Sequence, residues 1–379
     1  MMVTGEKGKE LLSLWVVAEQ KTKNFYPYGR AAGRRGAKDS KINHFEGALK
    51  KLKVLFMNKL NSYWKEKISE LKKLFPNDEF LDNDEISNIE DAMEVADAIV
   101  FGGDLDENVL GKSKNLKIIF VPYAGVNQLP LEILKEKGIS VANSHGNARI
   151  VAERAFTLAL ALLGKIVPYH NDLKEGIWHG FSAGESVKDS WVSIQNKSCA
   201  ILGLGNIGKN LAQMLKTFDC KIVGYKRNAN IDIENVDEIS SNLDYVIKKS
   251  EIVFVTLPLT KYTKGLIDEK VFNKMTGKYI INVGRGDVID QKALYEALKS
   301  KKLAGAAIDV WYNYPSKEKP SILPANYPIH TFDNVVLSPH VGGYNTEATK
   351  YSIDETVENI KSFLKDGTAK DLIDLEFGY

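Results

Sequence analysis

Three glycines, Gly203, Gly205 and Gly208, follow the apolar run Cys199-Ala200-Ile201-Leu202 at the spacing G-x-G-x-x-G. A strand that turns sharply into a helix needs glycine where its backbone passes close to a pyrophosphate. The helix N-terminus then offers free N–H groups and a favourable dipole to the anion. The spacing predicts a dinucleotide site on Gly203, Gly205, Asn206, Ile207 and Gly208. About 20 residues further on, an acid would accept hydrogen bonds from a ribose 2′-hydroxyl. Here the next strand-like segment ends in Lys226-Arg227. Two cations there would pair with a 2′-phosphate, so the expected cofactor is NADP(H) in preference to NAD(H).

Two further residues carry chemistry. Arg285 stands in Asn282-Val283-Gly284-Arg285-Gly286 and His340 in Ser338-Pro339-His340-Val341-Gly342-Gly343, each just past an apolar strand. In open parallel sheets the carboxyl ends of the strands frame the ligand crevice, so both side chains are expected to face the nicotinamide region. Hydride transfer to a 2-oxo acid needs a partner for the carboxylate, a polariser of the keto oxygen and a proton donor to the forming alkoxide. An Arg and a His with backbone amides supply all three. No cluster of His, Cys and acids has metal-ligand spacing, so no metal is expected.

The elements that must position these groups alternate. Strands are predicted at Val54-Leu55-Phe56, Ala98 to Phe101, Leu116 to Val121 and Ile139-Ser140-Val141, with a helix to about Leu74 and another over Leu131 to Lys137. A long apolar helix from Asn147 through Leu163 can bridge two domains, with Asn147 as its cap or hinge. Beyond Lys197 come six parallel strands, the first feeding the glycine turn, as in a doubly wound sheet. A last helix, about Thr346 to Leu364, is expected to pack back on the first unit. The fold class is α/β: two doubly wound parallel-sheet domains, a Rossmann-type nucleotide domain (147–345) inserted into a flavodoxin-like substrate domain (49–146 and 346–379). Residues 1–48, basic and aperiodic around Gly33-Arg34-Arg35-Gly36, read as an N-terminal extension, with Leu11 to Val17 able to form a short docking element.

A chain of 379 residues with 44% hydrophobic and 26% charged residues fits a globular protein of two domains and an appendage. Its formal net charge of +2 gives no general affinity for nucleic acid or acidic membranes. No apolar run reaches the roughly 18 residues of a membrane span, and no signal-peptide pattern opens the chain, so neither a span nor a leader is expected. The two cysteines, Cys199 and Cys220, read as small core residues of a reducing compartment, so a cytoplasmic location is expected.

With these motifs in order, the chain resembles the D-isomer-specific 2-hydroxyacid dehydrogenase family over roughly residues 52–365. That family includes glyoxylate/hydroxypyruvate reductases, phosphoglycerate dehydrogenases and formate dehydrogenases. The matching stretches are Tyr123-Ala124-Gly125-Val126, Asn147 to Glu153, the Gly203 turn, Thr256-Leu257-Pro258-Leu259-Thr260, Asn282 to Gly286, Gly305 to Val310 and Ser338-Pro339-His340. The resemblance implies that Arg285 binds the substrate's carboxyl and keto groups and that His340 is the acid/base. It further implies that Asp309 holds the nicotinamide carboxamide and that Tyr123, Ala124, Gly125 and Asn147 form the substrate-binding set, with the amides of Ala124 and Gly125 cradling the carboxylate. Thr256, Pro258, Val283 and Gly342 would line the cofactor cleft. His145, Trp178 and His179 would lie near its mouth, and a homodimer through the nucleotide domains is the family's common assembly.

One position departs from the pattern. Where the family places a Glu that pairs with the catalytic His, five residues past the Asp of its Gly-Ala-Ala-Ile-Asp-Val motif, this chain has Tyr314. A phenol cannot stabilise imidazolium as a carboxylate does, so Tyr314 is expected to leave His340 titrating low. Glu318 is the nearby acid that could substitute. The leading expectation is an NADP(H)-dependent reductase of a small 2-oxo acid such as glyoxylate or hydroxypyruvate. Phosphoglycerate- or formate-dehydrogenase-like activity, or a catalytically weak dinucleotide-sensing binding protein, are the alternatives.

Overall fold

The computed structural model describes residues 51–379 except 83, 87, 104 and 181–189. The N-terminal extension 1–48, with Leu11 to Val17, lies outside the described residues. Among the described residues twelve strands form two all-parallel sheets. One holds β1 (Lys53–Phe56), β2 (Glu79–Asp82), β3 (Ala98–Val100), β4 (Ile118–Phe120) and β5 (Ser140–Ala142) in the order β2-β1-β3-β4-β5. The other holds β6 (Ser198–Leu202), β7 (Lys221–Tyr225), β8 (Glu238–Ser240), β9 (Ile252–Val255), β10 (Tyr279–Asn282), β11 (Gly305–Ile308) and β12 (Val335–Leu337) in the order β12-β11-β10-β9-β6-β7-β8. The first order is flavodoxin-like. The second is the Rossmann arrangement with one added strand, reversing direction at β6, the strand that feeds the glycine turn.

Each sheet is covered on both faces, which is why its strands read as unbroken apolar runs. In β6, Cys199 and Ile201 bury against the helices Ala148–Leu163 and Asn206–Lys216, while Ala200 and Leu202 bury against the opposite layer. In β1, Val54 and Phe56 face the helices Ser62–Leu74 and Thr346–Asp366, and Leu55 faces the other side. The last helix thus packs on the first sheet, placing Phe363 edge-on to Phe120 at 5.9 Å. Truncating such a buried ring costs about 3–5 kcal/mol. Caps fix the helix ends. Asn345 accepts from the Ala348 amide at 2.7 Å, and Gly367, at φ 72°, ends that helix in the left-handed region.

Two strands escape the sequence reading, and both are sheet edges. In β2 the run Glu79-Phe80-Leu81-Asp82 fully buries only Phe80, and β8 buries none of its three residues. The nucleotide sheet therefore has seven strands and not six. After Gly367 the chain runs antiparallel along β5, with Leu372 bridging Ala142 and the Ile373 amide donating to Val141 at 2.9 Å. Among the described residues no helix is long and apolar enough to cross a membrane, and no group of three or more His, Cys, Asp or Glu side chains converges.

Candidate active site

At the end of β6 two of the three glycines of the turn, Gly203 and Gly208, have a steric reason. Gly203 adopts φ 106°, and a Cβ there would lie 3.0 Å from the Leu257 nitrogen. A Cβ on Gly208 would lie 2.2 Å from the Gly203 carbonyl oxygen, so the helix can pack on the strand only because position 208 has no side chain. At Gly205 a Cβ would meet nothing within 4 Å; this position caps the helix Asn206–Lys216 and opens into a cleft. The amides of Asn206, Ile207 and Gly208 occupy the first turn, where no intrahelical acceptor exists. Thr256 Oγ1 steadies the turn by donating to the Gly203 carbonyl at 2.6 Å. An uncrowded glycine at a helix N-terminus, opening on a cleft, fits a dinucleotide's pyrophosphate.

Two cavities meet there. One, of about 230 Å³, is lined by Ala124, Gly125, Asn127, Asn143, His145, Gly205, Asn206, Ile207, Thr256, Pro258, Val283 and Arg285. The other, of about 470 Å³, is lined by Gly203, Gly205, Tyr225, Lys226, Arg227, Thr256, Pro258, Phe377 and Tyr379. Gly205, Thr256, Pro258 and Tyr379 belong to both walls. The structure therefore gathers most of the residues singled out from the sequence around one elongated cleft with an arginine at each end.

Arg285 reaches across from one sheet's body to the other's. Its Nη1 donates to the Gly284 carbonyl at 2.7 Å and its Nε to Asn127 Oδ1 at 3.4 Å. A Cβ on Gly125 would lie 2.0 Å from Nη2, so only glycine lets the guanidinium lie against the Ala124–Gly125 backbone. Buried Asn282 shapes the loop behind it, accepting from the Gly284 amide and donating to the Arg285 carbonyl, both at 3.0 Å. Asn143 Nδ2 anchors the facing loop by donating to the Ala124 carbonyl at 2.7 Å. Desolvation pulls the Arg285 pKa down from the usual guanidinium value. A half-buried cation that gives up water gains from an anionic ligand.

His340 stands at φ 56°, a left-handed conformation costing an ordinary residue about 1–2 kcal/mol. Asp309, buried, compels it: its carboxylate accepts from Ser338 Oγ, from the Val341 amide at 3.0 Å and from the Gly342 amide at 2.9 Å. Arg154 and Trp311 Nε1 fix Ser338 from either side, each at 2.8 Å. Loss of water around its ring, then the charge of Arg285, holds the His340 pKa below the ordinary imidazole value; Asp309 opposes them. The Tyr314 ring lies 5.4 Å from the His340 ring at 55°, and its hydroxyl oxygen accepts from the Trp311 amide at 3.0 Å. Glu318 bonds to Ser316 Oγ in its own exposed turn.

His340, Asp309, Tyr314 and Gly342 lie outside the walls of the two cavities, and so do other expected residues. The Tyr123 hydroxyl donates to the Gly102 carbonyl. Asn147 occupies the cap position of the bridging helix, but at φ −85°, ψ 2° its side chain caps nothing and abuts Gly343. His179 stacks on Tyr169 at 4.5 Å and bonds Asp172 at 2.8 Å, while Trp178 is 68% exposed. His145 does line the cleft beside Arg285. Missed in the sequence were Asn127, Asn143, Lys209, Phe377 and Tyr379. Lys209 follows the glycine turn directly and with Arg227 depresses the pKa of half-buried Lys226, after desolvation. Its place just past the third glycine was the available signal.

Comparison with known proteins matches residues 156–342 to the model described as D-isomer specific 2-hydroxyacid dehydrogenase, NAD binding domain. A glyoxylate reductase of Thermofilum pendens is 34% identical over 270 residues, 69% of this chain and 76% of that one. A hydroxypyruvate reductase of Thermotoga maritima is 32% identical over 287 residues, 74% of this chain and 88% of that one. Among solved structures, a Pyrococcus horikoshii protein superposes with a TM-score of 0.72 at 28% identity, covering 86% of this chain and 95% of its own.

Proposed function

Because the chain belongs to the D-isomer specific 2-hydroxyacid dehydrogenase family and is an NAD(P)-dependent dehydrogenase, we propose that it reduces a small 2-oxo acid, of the size of glyoxylate or hydroxypyruvate, with NADP(H). The observation that carries this reading is the single cleft with Arg285 over Gly125 at one end and Lys226-Arg227 at the other, meeting at Gly205. A cavity of about 230 Å³ beside Arg285 suits a substrate of few atoms.

The residues divide the work as follows. Arg285 takes the carboxylate and keto oxygen through its planar donors, and the amides of Ala124 and Gly125 meet the carboxylate from the facing loop. Nicotinamide, when bound, supplies the hydride. His340 as imidazolium gives its proton to the forming alkoxide, and Asp309 positions it through the 338–342 loop. Closure of the substrate body (49–146 and 346–379) on the nucleotide body (147–345), which carries both Arg285 and His340, encloses the substrate and expels water. Lys226 and Arg227, with Lys209 beside them, have no carboxylate partner among the described residues, and an uncompensated cation trio favours a 2′-phosphate. The free buried thiols Cys199 and Cys220 support a cytoplasmic setting. Exposed Ile166, Val167, Leu173 and Ile177 support a homodimer.

The test is a reductase assay of purified protein with glyoxylate and hydroxypyruvate, each with NADPH and NADH across pH. Turnover faster with NADPH is expected. Dinucleotide binding with no turnover over a broad 2-oxo acid panel would defeat the proposal.

A further inference from the structure

Phe377 and Tyr379 belong to the segment anchored along β5, yet they touch the opposite body. The turn that redirects them is tightly bonded: the Phe377 and Gly378 amides donate to the Asp374 carbonyl at 3.2 and 2.8 Å, the Asp374 amide donates to the Tyr379 carbonyl at 3.2 Å, and Gly378 takes φ 75°. From it the Phe377 ring projects under Arg227, with the guanidinium carbon 3.8 Å from the ring centroid. The Tyr379 ring lies 5.6 Å from the same carbon, and Tyr262 packs on Phe377 at 6.0 Å. Face stacking leaves the in-plane N–H donors of a guanidinium unspent, and Arg227 has no acceptor among the described residues. Tyr379 also lines both cavities where they join at Gly205, so a ligand running from Arg227 to Arg285 passes beneath it.

We propose that the segment Asp374–Tyr379 is the outer wall of the dinucleotide site and a determinant of cofactor choice. Phe377 holds the Arg227 guanidinium flat with its donor edge toward the 2′-phosphate, and Tyr379 covers the pyrophosphate over Gly205. This rests on the NADP(H) reading, and the experiment separates the two. Equilibrium binding of 2′,5′-ADP and 5′-AMP is measured by calorimetry on wild type, Phe377→Ala and Phe377→Tyr. Wild type is expected to favour 2′,5′-ADP. In Phe377→Ala that affinity falls about tenfold with a smaller change for 5′-AMP, and Phe377→Tyr restores it. Equal wild-type binding of the two nucleotides overturns the NADP(H) reading and the 2′-phosphate role of Phe377 together. A discriminating wild type with an unmoved or tighter-binding Phe377→Ala overturns the role of Phe377 alone. For Tyr379, Tyr379→Ala is expected to weaken NADPH and NADH alike, about threefold; unchanged affinity for both removes Tyr379 from the wall.

Discussion

Arg285 and Arg227 stand at the two ends of one cleft and are restrained in opposite ways. Arg285 is gripped edge-on: a carbonyl takes one nitrogen, Asn127 another, and the Gly125 backbone lies where a Cβ would collide with Nη2. Arg227 is held by its face, on Phe377, with its edge open and two lysines near. A hydrogen-bonded, desolvated cation suits the end proposed to hold the substrate, where geometry would fix the rate. A cation steadied by stacking alone suits an end that need only recognise charge.

Replacing the gripped arginine should have the largest effect. Arg285→Lys keeps the charge and loses the planar fork, and kcat/KM for 2-oxo acid reduction is expected to fall by about a thousandfold or more. A loss under tenfold would mean that charge alone matters and would erase the contrast. Gly125→Ala tests the same grip from the other side: the new Cβ must displace the guanidinium, costing on the order of a hundredfold in kcat/KM with little change in Tm. At the stacked end, Lys226→Asp with Arg227→Ser should swing the NADPH:NADH ratio of kcat/KM by about a hundredfold toward NADH, and an unmoved ratio would remove the 2′-phosphate from that end. The smallest effect concerns His340. In the proposed mechanism its proton is needed for reduction and its pKa is held low, so reduction is expected to decline as pH rises through a value below that of a carboxylate-paired imidazole. Tyr314→Glu should raise that pKa and move the alkaline limb of the pH profile up by about one unit. A stationary limb would show that 5.4 Å of ring contact does not couple the two residues.

What the sequence made legible follows from local rules. The glycine turn obeys steric demands within six residues, and strands buried on both faces announce themselves as apolar runs. Edge strands β2 and β8 were silent because half-buried strands of three or four residues alternate too briefly to register. Asn127 and Asn143 act through loops that only the tertiary fold brings against Arg285 and Ala124. Phe377 meets Arg227 across 150 positions because the chain returns along β5, and no local pattern encodes that path.

The passage of Arg285 over Gly125 also constrains how this sequence can drift. Any side chain gained at 125 evicts the guanidinium, and a shorter residue at 285 removes the reason for glycine at 125. The two positions, 160 apart in the chain, are thus sterically linked: a side chain at 125 and the present course of Arg285 exclude each other.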